Sequence, residues 1–412
     1  MTKRFRLGLM ATAIMSLLCG NALAGGFQLQ NQTGSGNGNA FAGAAAAAED
    51  AGTVFFNPAG MTYLSEGHSF SLAGTIQNRS IKFQDTGTTG TLPSTSNGKD
   101  AGSTALIPAF YWAYALDSST RIGLGVSPTF GNETDYGFDF IGRNSAYYAN
   151  IKQYNVNPSV AYKVDESLSV GFGINYATNE SEFKNGVYGV TNSIATTKGK
   201  DDAFGFNAGL IFKPDADTRV ALTYRSELRF KLDGTQTFSP QFTSNKNITA
   251  KLTTPAQASL AMARKISDTT ELLADLTWTG WSVVKSLDIV DKSTGSVTSI
   301  SYNFRDTMRF GLGANYQYSD SVKLRFGTAY DQGVVKAPAD RTMTLPDSDR
   351  IWLAFGARYT IDRNSSVDIG YSHVFFADAT TARVVNGAQT VKGKWTGNRV
   401  DMIAAQWNYN FK

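Results

Sequence analysis

Hydrophobic and polar residues alternate along most of the chain from about His68 onward. In residues 168–178 one face is apolar and carries Leu168, Val170, Phe172, Ile174 and Tyr176. The other face of this segment is small or polar and carries Ser169, Gly171, Gly173, Asn175 and Ala177. Alternation with a period of two predicts β-strands whose two faces meet different environments.

A second segment, residues 219–231, has charged side chains on one of its faces. The polar face holds Arg219, Thr223, Arg225, Glu227, Arg229 and Lys231, and the apolar face holds Val220, Leu222, Tyr224, Leu228 and Phe230. A soluble β-sandwich would turn the apolar face inward. A transmembrane barrel would turn that face outward to lipid and enclose the charges. The alternation alone is compatible with both folds.

The lengths of the connections distinguish these two folds. The alternation predicts fourteen strands, at 68–83, 103–116, 120–131, 147–164, 168–180, 202–213, 218–232, 247–266, 270–290, 300–318, 321–335, 349–361, 366–376 and 398–411. Every second link is short, at 117–119, 165–167, 214–217, 267–269, 319–320 and 362–365. The intervening links, such as 84–102 and 377–397, are long. This rhythm is typical of an outer-membrane barrel with short periplasmic turns, long extracellular loops and both termini in the periplasm.

We therefore predict an all-β fold in which residues 65–412 form a fourteen-stranded antiparallel transmembrane β-barrel. Residues 25–64 lack the alternation and are rich in small residues, including a Gly/Asn-rich stretch at 34–39 and an alanine run at 44–48. Small residues pack closely without a core of their own. This composition predicts a compact N-terminal plug of short helices and turns, the hatch, and a flexible linker is the alternative.

Residues 1–24 have the layout of a secretory signal peptide. Lys3, Arg4 and Arg6 precede an apolar run at 7–18, and a small-x-small triplet ends at Ala24. A buried N-terminal helix is the alternative, but it does not explain the order of these three features. We expect cleavage near Ala24 and localisation in the bacterial outer membrane, with no helix crossing the bilayer.

Cleavage changes both the charge and the cysteine content. Three of the 38 basic residues lie in the signal peptide, so 35 remain against 34 acidic residues. The near-neutral mature chain gives no reason to expect nucleic acid as a partner. The only cysteine, Cys19, leaves with the signal peptide, so no disulfide and no thiolate chemistry is expected.

Few residues suggest enzymatic or metal chemistry. The composition, 42% hydrophobic and 17% charged, excludes a disordered chain. His68 and His373 are the only histidines, and the sequence lacks a G-x-S-x-G elbow, a Walker A loop and an H-E-x-x-H motif. We expect no catalytic residues, no metal and no cofactor. A membrane hydrolase that uses His373 on the outer face of the barrel is an alternative.

Several strings are more specific than the alternation. The mature start reads GGFQLQNQTGSGNGNAFAGAAAAAEDAGTVFFNPAGM, and later strings are RIGLGVSPTFG (121–131), VNPSVAYKVDESLSVGFGINY (156–176), TPAQASLAMARKISDTTELLADLTWTGWS (254–282) and LPDSDRIWLAFGARY (345–359). In this order they resemble the FadL family of outer-membrane long-chain fatty acid and hydrocarbon transporters. The resemblance spans nearly all of residues 25–411.

The resemblance implies a binding pocket inside the barrel, a movable N-terminal segment, and lateral exit into the membrane beside a kinked third strand. The residues of the third strand agree, because its glycines remove side chains and its proline cannot donate a ladder hydrogen bond. We predict the exit kink at Gly125, Ser127, Pro128 and Gly131. If instead Pro128 only marks the end of the strand, there is no kink.

The gate follows from the same resemblance. The turn Asn57-Pro58-Ala59 is expected to abut the exit, and an ordinary Asx-Pro turn is the alternative. Phe27 and Leu29 alternate with polar residues and are expected either to reach into the pocket or to pack within the hatch.

Basic residues on the expected lumen face are candidates for binding a carboxylate head group. They are Arg225, Arg229, Arg309, Lys323, Arg325 and Arg350. Salt bridges within the barrel, for example to Glu227 or Asp275, are the structural alternative for each of them.

These observations predict a passive importer of long-chain fatty acids that acts as a monomer and releases its substrate into outer-membrane lipid. Import of monoaromatic or other hydrophobic hydrocarbons is an alternative within the same mechanism. The basic candidates favour fatty acids. A structural, adhesive or receptor barrel without transport is the other alternative.

Overall fold

The computed structural model of the chain describes residues 26–90, 94–190, 192–240 and 245–412. The predicted signal peptide, residues 1–24, lies outside the described residues. Within the described ranges, fourteen antiparallel strands form one closed barrel, as predicted, because each strand pairs with its neighbour and the first pairs with the last.

The wall strands are numbered in chain order. The first six are β1 (His68–Ser80), β2 (Thr104–Ala115), β3 (Thr120–Asp135), β4 (Tyr148–Lys163), β5 (Leu168–Gly186) and β6 (Ile194–Phe212). Four interrupted strands follow, β7 (Thr218–Arg225 and Leu228–Ser239), β8 (Lys246–Thr254 and Gln257–Lys265), β9 (Thr270–Thr279 and Ser286–Asp291) and β10 (Val297–Ser301 and Thr307–Gln317). The last four are β11 (Val322–Asp331), β12 (Arg350–Thr360), β13 (Ser365–Phe376) and β14 (Arg399–Phe411).

The outer face of the wall is apolar. On β5 the side chains of Val170, Phe172 and Ile174 are exposed, whereas their neighbours Ser169 and Asn175 are buried in the lumen. The charges of the lumen are enclosed, and the apolar face is the one that meets lipid. This distribution fits the transmembrane barrel and not the soluble sandwich.

The prediction for the upper part of β7 is wrong about which face is apolar. Between the last pair below the break and the first pair above it, seven residues of β7, 226–232, lie opposite six residues of β6, 201–206. The one extra residue in β7 reverses which of its faces points into the barrel. Leu228 and Phe230 are therefore buried inside the barrel, whereas the side chain of Arg229 is 80% exposed outside it.

Four strands predicted as continuous, those at 218–232, 247–266, 270–290 and 300–318, are interrupted. The predicted strand 270–290 pauses at residues 280–285, where a short 3₁₀ helix, Trp281–Val283, turns inward. The predicted strand 300–318 pauses at residues 302–306. Together with the breaks in β7 and β8, these pauses lie at one height in four adjacent strands, and they shape the interior above the hatch.

The described part of the hatch, residues 26–64, lies inside the barrel. It contains α1 (Gly34–Asn37), α2 (Ala44–Ala47), α3 (Thr53–Phe56) and the 3₁₀ helix Pro58–Tyr63. These elements contact wall strands all around the circumference, from β4–β6 to β12–β14. Across the described ranges, none of the helices is long and apolar enough to span a membrane.

The extracellular loops form a small roof over part of the barrel. Its four short strands are Phe83–Asp85, Thr89–Gly90, Ala379–Val385 and Gln389–Trp395. Phe83 and Trp395 of these strands pack with Tyr136 and Phe140 in one apolar cluster. The roof lies at the end of the barrel opposite the short turns.

Candidate functional site

An apolar cavity lies above the hatch in the extracellular half of the lumen. Its volume is about 180 Å³. Its apolar lining comes from four directions: the hatch, the wall strands, the pauses of β9 and β10, and the extracellular loop before β12. These residues are Phe27, Ile151, Phe183, Leu232, Leu252, Val283, Val284, Leu287, Tyr302, Phe304 and Leu345. Such a lining binds the hydrocarbon part of a ligand.

Phe27 of the hatch forms the floor of the cavity. Its ring packs edge-on against Trp281 at 5.0 Å and against Phe130 at 5.7 Å between centroids. Trp281 is fully buried, since the pause in β9 turns it into the lumen. The hatch, the third wall strand and the pause in β9 therefore meet at one aromatic contact.

Two lysines that sequence reasoning missed lie at the mouth of this cavity. Lys251 and Lys285 both line the cavity and are both exposed to solvent. The backbone ladder between β8 and β9 is absent between the pairs Ala250–Ile289 and Gln257–Thr279. The cavity therefore has a cationic edge where the wall is open. The available sequence signal was the loss of alternation in the string TGWSVVKS.

The wall contains a second opening, between β2 and β3. Their ladder runs from Ala115–Arg121 to Phe110–Val126 and then stops. The strands come together again at the extracellular end, where Asp135 N donates to Ala101 O at 3.2 Å. The unpaired stretch is a window in the wall, and it begins next to Ser127 and Pro128, the residues predicted for the kink.

The edge of β3 in this window is irregular. Its register with β4 shifts between Pro128 and Phe130, leaving Thr129 as an extra residue. A proline lacks the N–H that the ladder requires, and a bulge bends the strand that carries it. Gly125 lies just below the window, where an added Cβ would be in tight contact with Tyr111, at 3.2 Å, and with Val54 of the hatch, at 3.4 Å.

The start of the hatch closes the window from inside. Leu29 N donates to Thr129 O at 2.9 Å, and Gly131 N donates to Phe27 O at 2.8 Å. Gln28 and Phe130 form the antiparallel bridge between these bonds. The side chain of Leu29 packs on Ile107 of β2. Residues 27–29 thus replace β2 as the partner of the free edge of β3, and the predicted gate residues Phe27 and Leu29 join the cavity to the window.

The turn Asn57-Pro58-Ala59 does not abut the window, contrary to the prediction. It lies against β5 and β6, where Asn57 Nδ2 donates to Leu210 O at 3.2 Å. Gly171 and Gly209 are paired across these strands, and a Cβ on either would overlap the turn. The turn reaches this position because two facing glycines leave room for its backbone.

Four of the predicted head-group candidates lie in the lumen with carboxylate partners. Arg309 contacts Asp275 at 2.9 Å, Arg350 contacts Asp347 at 2.8 Å, and both Arg325 and Lys323 contact Glu49 of the hatch, at 2.7 and 3.5 Å. These contacts are the structural alternative that the sequence left open. The contacts with Glu49 join the hatch to the wall, the Arg350–Asp347 contact joins a loop to the wall, and the Arg309–Asp275 contact joins two wall strands.

The other two candidates differ from these four and from each other. Arg225 donates to Asn175 Oδ1 and to Phe55 O, and it stacks on the Phe55 ring at 4.5 Å. Arg229 points out of the barrel and pairs with Glu227 at its outer surface. Its predicted position in the lumen is wrong, because of the extra residue in β7.

Glu49 is the hatch residue at the centre of the ion-pair cluster. Burial alone would raise the pKa of the Glu49 carboxyl, but Arg325, Lys323 and Arg358 outweigh this effect and hold its pKa well below the usual range. Glu49 is therefore ionised at neutral pH, and the hatch is held in place by charge.

The two histidines contact residues on neighbouring wall strands. His373 Nδ1 lies 2.6 Å from Asp401 Oδ1, and His68 Nδ1 accepts from Trp112 Nε1 at 3.0 Å. In the parts of the chain that are described, neither ring has a hydrogen bond to a serine hydroxyl. Within the same ranges, no three His, Cys, Asp or Glu side chains are grouped as metal ligands.

Comparison with known proteins agrees with this architecture. A sequence profile of the family described as outer membrane protein transport protein (OMPP1/FadL/TodX) matches residues 15–411. A putative outer membrane protein of Neisseria meningitidis is 29% identical, over 89% of this chain and 90% of its own. The long-chain fatty acid transport protein of Escherichia coli K12 is 26% identical, over 87% and 90%.

Solved structures show the same fold. A FadL homologue from Pseudomonas aeruginosa superposes with a TM-score of 0.87 at 23% identity, covering 94% of this chain and 100% of its own. The toluene transporter TodX of P. putida superposes with a TM-score of 0.67 at 16% identity, covering 88% and 94%.

Proposed function

The chain belongs to the OMPP1/FadL/TodX family of outer membrane transport proteins, and we propose that it imports long-chain fatty acids across the outer membrane by passive diffusion. The observation that carries this proposal is the apolar cavity with Lys251 and Lys285 at its mouth. An apolar lining suits an acyl chain, and an ammonium group at the edge suits a carboxylate. The name of the E. coli relative is in keeping with this substrate. The family and the fold are those of transport channels rather than enzymes.

The proposed path runs from the cavity to the window. Ligand in the cavity contacts Phe27 and displaces the segment that closes the window. Two backbone hydrogen bonds hold this segment to β3. At roughly 0.5–1.5 kcal/mol net for each bond, ligand binding can supply the free energy needed to break them. The acyl chain then leaves sideways, between β2 and β3, into outer-membrane lipid.

A monoaromatic hydrocarbon is the second candidate substrate, and the size of the cavity favours it. The cavity measures about 180 Å³. An engineered apolar cavity of about 150 Å³ holds benzene, so a single ring fits a space of this size. Lys251 and Lys285 would not contribute to the binding of a neutral hydrocarbon. The effect of removing them therefore distinguishes the two candidate substrates.

We also propose a division of the chain into a signal peptide (1–24), the hatch (25–64) and the barrel (65–412), and a monomeric assembly. The closed wall supports the monomer, because among the described residues no strand edge is free over the whole height of the barrel for a second chain to pair with. A structural or receptor barrel would need neither a window nor a segment that closes it.

Uptake of labelled oleate and labelled toluene tests the proposed function. Cells that lack their own transporter are compared with and without this protein. Import of oleate well above the empty-vector rate is expected. Import of toluene without oleate would indicate that the substrate is a hydrocarbon. Import of neither compound would favour the structural or receptor barrel.

Neutralising the two lysines should weaken binding of the carboxylate alone. The double variant Lys251→Gln/Lys285→Gln is expected to bind oleate about tenfold more weakly, which corresponds to about 1.4 kcal/mol. Equilibrium binding to the purified protein, measured for oleate and for toluene, checks this. Lys246→Gln is the matched control, because Lys246 lies on the same strand and pairs with Asp291 instead. Equal losses for oleate and toluene would contradict a head-group role.

A further inference from the structure

Arg79 lies at the extracellular corner of the window. It belongs to β1, and its N–H donates to Ser103 O at 3.0 Å, just before β2 begins. Two residues further back, Ala101 O accepts from Asp135 N and closes the top of the window. The Arg79 side chain is 4% exposed. A buried cation therefore lies where the wall opening ends.

The guanidinium of Arg79 is only partly satisfied. Nη1 donates to Asn132 Oδ1 at 3.2 Å. Nε and Nη2 are buried and have no hydrogen-bond partner, and Arg79 makes no ion pair with any carboxylate among the described residues. Arg309, Arg325 and Arg350, which are equally buried, each contact a carboxylate. Arg79 differs from them because its guanidinium has no ion pair within the described residues, and Glu133 and Asp100 interact with its charge only from a longer distance.

The two free donors form a defined binding geometry. Nε–H and one Nη2–H project in parallel from one edge of the guanidinium plane, and this edge binds both oxygens of a carboxylate at once. Burying a cation without a counter-ion is unfavourable, so an anion that reaches this edge is bound strongly. The free edge of Arg79 is therefore suited to a carboxylate.

Arg79 is also connected to the ligand path. Its partner Asn132 lines the cavity and lies on β3 one residue beyond Gly131, which bonds to Phe27 of the closing segment. Displacement of that segment would break the hydrogen bond to Gly131. The edge of β3 between the cavity and Arg79 would then have no backbone partner in the hatch. The residue lies at the window and not at the lysine mouth, which is formed by β8 and β9.

We propose that Arg79 is a carboxylate-binding site of the exit window, which holds the head group of the substrate while its acyl chain passes from the cavity into the membrane. This assignment rests on the proposed import of an anionic amphiphile. It gives the two ends of the path different cations: Lys251 and Lys285 at the mouth of the cavity, and Arg79 at the window.

The test compares uptake of oleate with uptake of oleyl alcohol, a neutral ligand with the same chain. The variants are Arg79→Gln and Arg79→Lys, and Arg121→Gln is the control. Arg121 is a buried arginine at the periplasmic end of β3 whose side chain donates to backbone carbonyls. Heat-modifiable gel mobility verifies that each variant forms the barrel.

Arg79→Gln is expected to reduce oleate uptake at least tenfold and oleyl alcohol uptake less than twofold, with equilibrium oleate binding in the cavity unchanged. Arg79→Lys should recover part of the oleate rate, and Arg121→Gln should resemble the wild type for both ligands. Equal losses for the two ligands, or none for oleate, would overturn the assignment and leave fatty acid import standing. Failure of the wild-type protein to import oleate would overturn the proposed function, and the assignment with it.

Discussion

Oxidation of the double variant Gln28→Cys/Phe130→Cys should reduce oleate uptake at least tenfold, and a reductant should restore it. The two residues form the antiparallel bridge between the hatch and the free edge of β3. A disulfide between them would hold the closing segment in the window. Uptake by intact cells, measured before and after treatment with a permeant reductant, checks the prediction.

The backbone geometry favours this disulfide. The flanking bonds, Leu29 N to Thr129 O and Gly131 N to Phe27 O, make Gln28 and Phe130 a non-hydrogen-bonded pair. The Cα atoms of such a pair are about 4.5 Å apart, within the range of about 4.4–6.8 Å that disulfides span. The chain has a single cysteine, Cys19, in the predicted signal peptide, so no other thiol of the mature chain competes.

The single variants separate the cross-link from the loss of the Phe130 ring. Phe130 packs on Phe27 and Trp281, so Phe130→Cys alone is expected to weaken closure, and its uptake should not respond to oxidant. Gln28→Cys alone should behave as the wild type. Unchanged uptake by a fully oxidised double variant would refute gating by residues 27–29.

The barrel could be predicted from the sequence because its signal is local and repeated. In a strand such as β5, the alternation of apolar and polar residues alone identifies the face that meets lipid. The short turns then recur after every second strand. The same method failed at β7, since one extra residue reverses the faces and Leu228 and Phe230 retain the apparent alternation of a continuous strand. Arg229 was misplaced for this reason alone.

The candidate site was predictable only in part. Pro128 lies next to the point where the β2–β3 ladder ends, and a proline in a wall strand is a local signal because it lacks the donor that the ladder needs. Its role in ligand exit stays a prediction. The partners of the lumen arginines could not be predicted, since Glu49 lies more than 270 residues from Arg325 in sequence. The position of the Asn57-Pro58-Ala59 turn could not be predicted either, because it depends on Gly171 and Gly209 facing each other across two strands. These contacts are long-range, and one sequence does not contain them as a pattern.

Replacing Arg325 by methionine should release the hatch and make the barrel leak. Arg325 is 1% exposed, and its Nη2 contacts Glu49 at 2.7 Å and Asp368 at 2.9 Å. Removing one member of a buried ion pair typically costs about 3–5 kcal/mol. Here Glu49 and Asp368 both lose their contact with Arg325 and keep, among the described residues, only the ion pairs with Arg358 and Lys323. Ion conductance in planar bilayers and cell sensitivity to a large hydrophilic antibiotic should both rise well above the wild-type level.

The direction of the pH dependence and a matched control define this effect further. In the wild type the depressed pKa of Glu49 means that its contribution is present at neutral pH and is lost only as the pH falls through that low value. Without Arg325 the pKa of Glu49 should rise, so the leak should be largest at neutral pH and decline as the carboxyl becomes protonated.

Lys323→Met removes a cation that is 3.5 Å from the same carboxylate but whose side chain is 26% exposed, and it should cost less than about 1 kcal/mol. A leak of equal size in the two variants would show that the hatch responds to charge in general and is not anchored by Arg325, whereas loss of oleate binding without a leak would return Arg325 to the role of a head-group ligand.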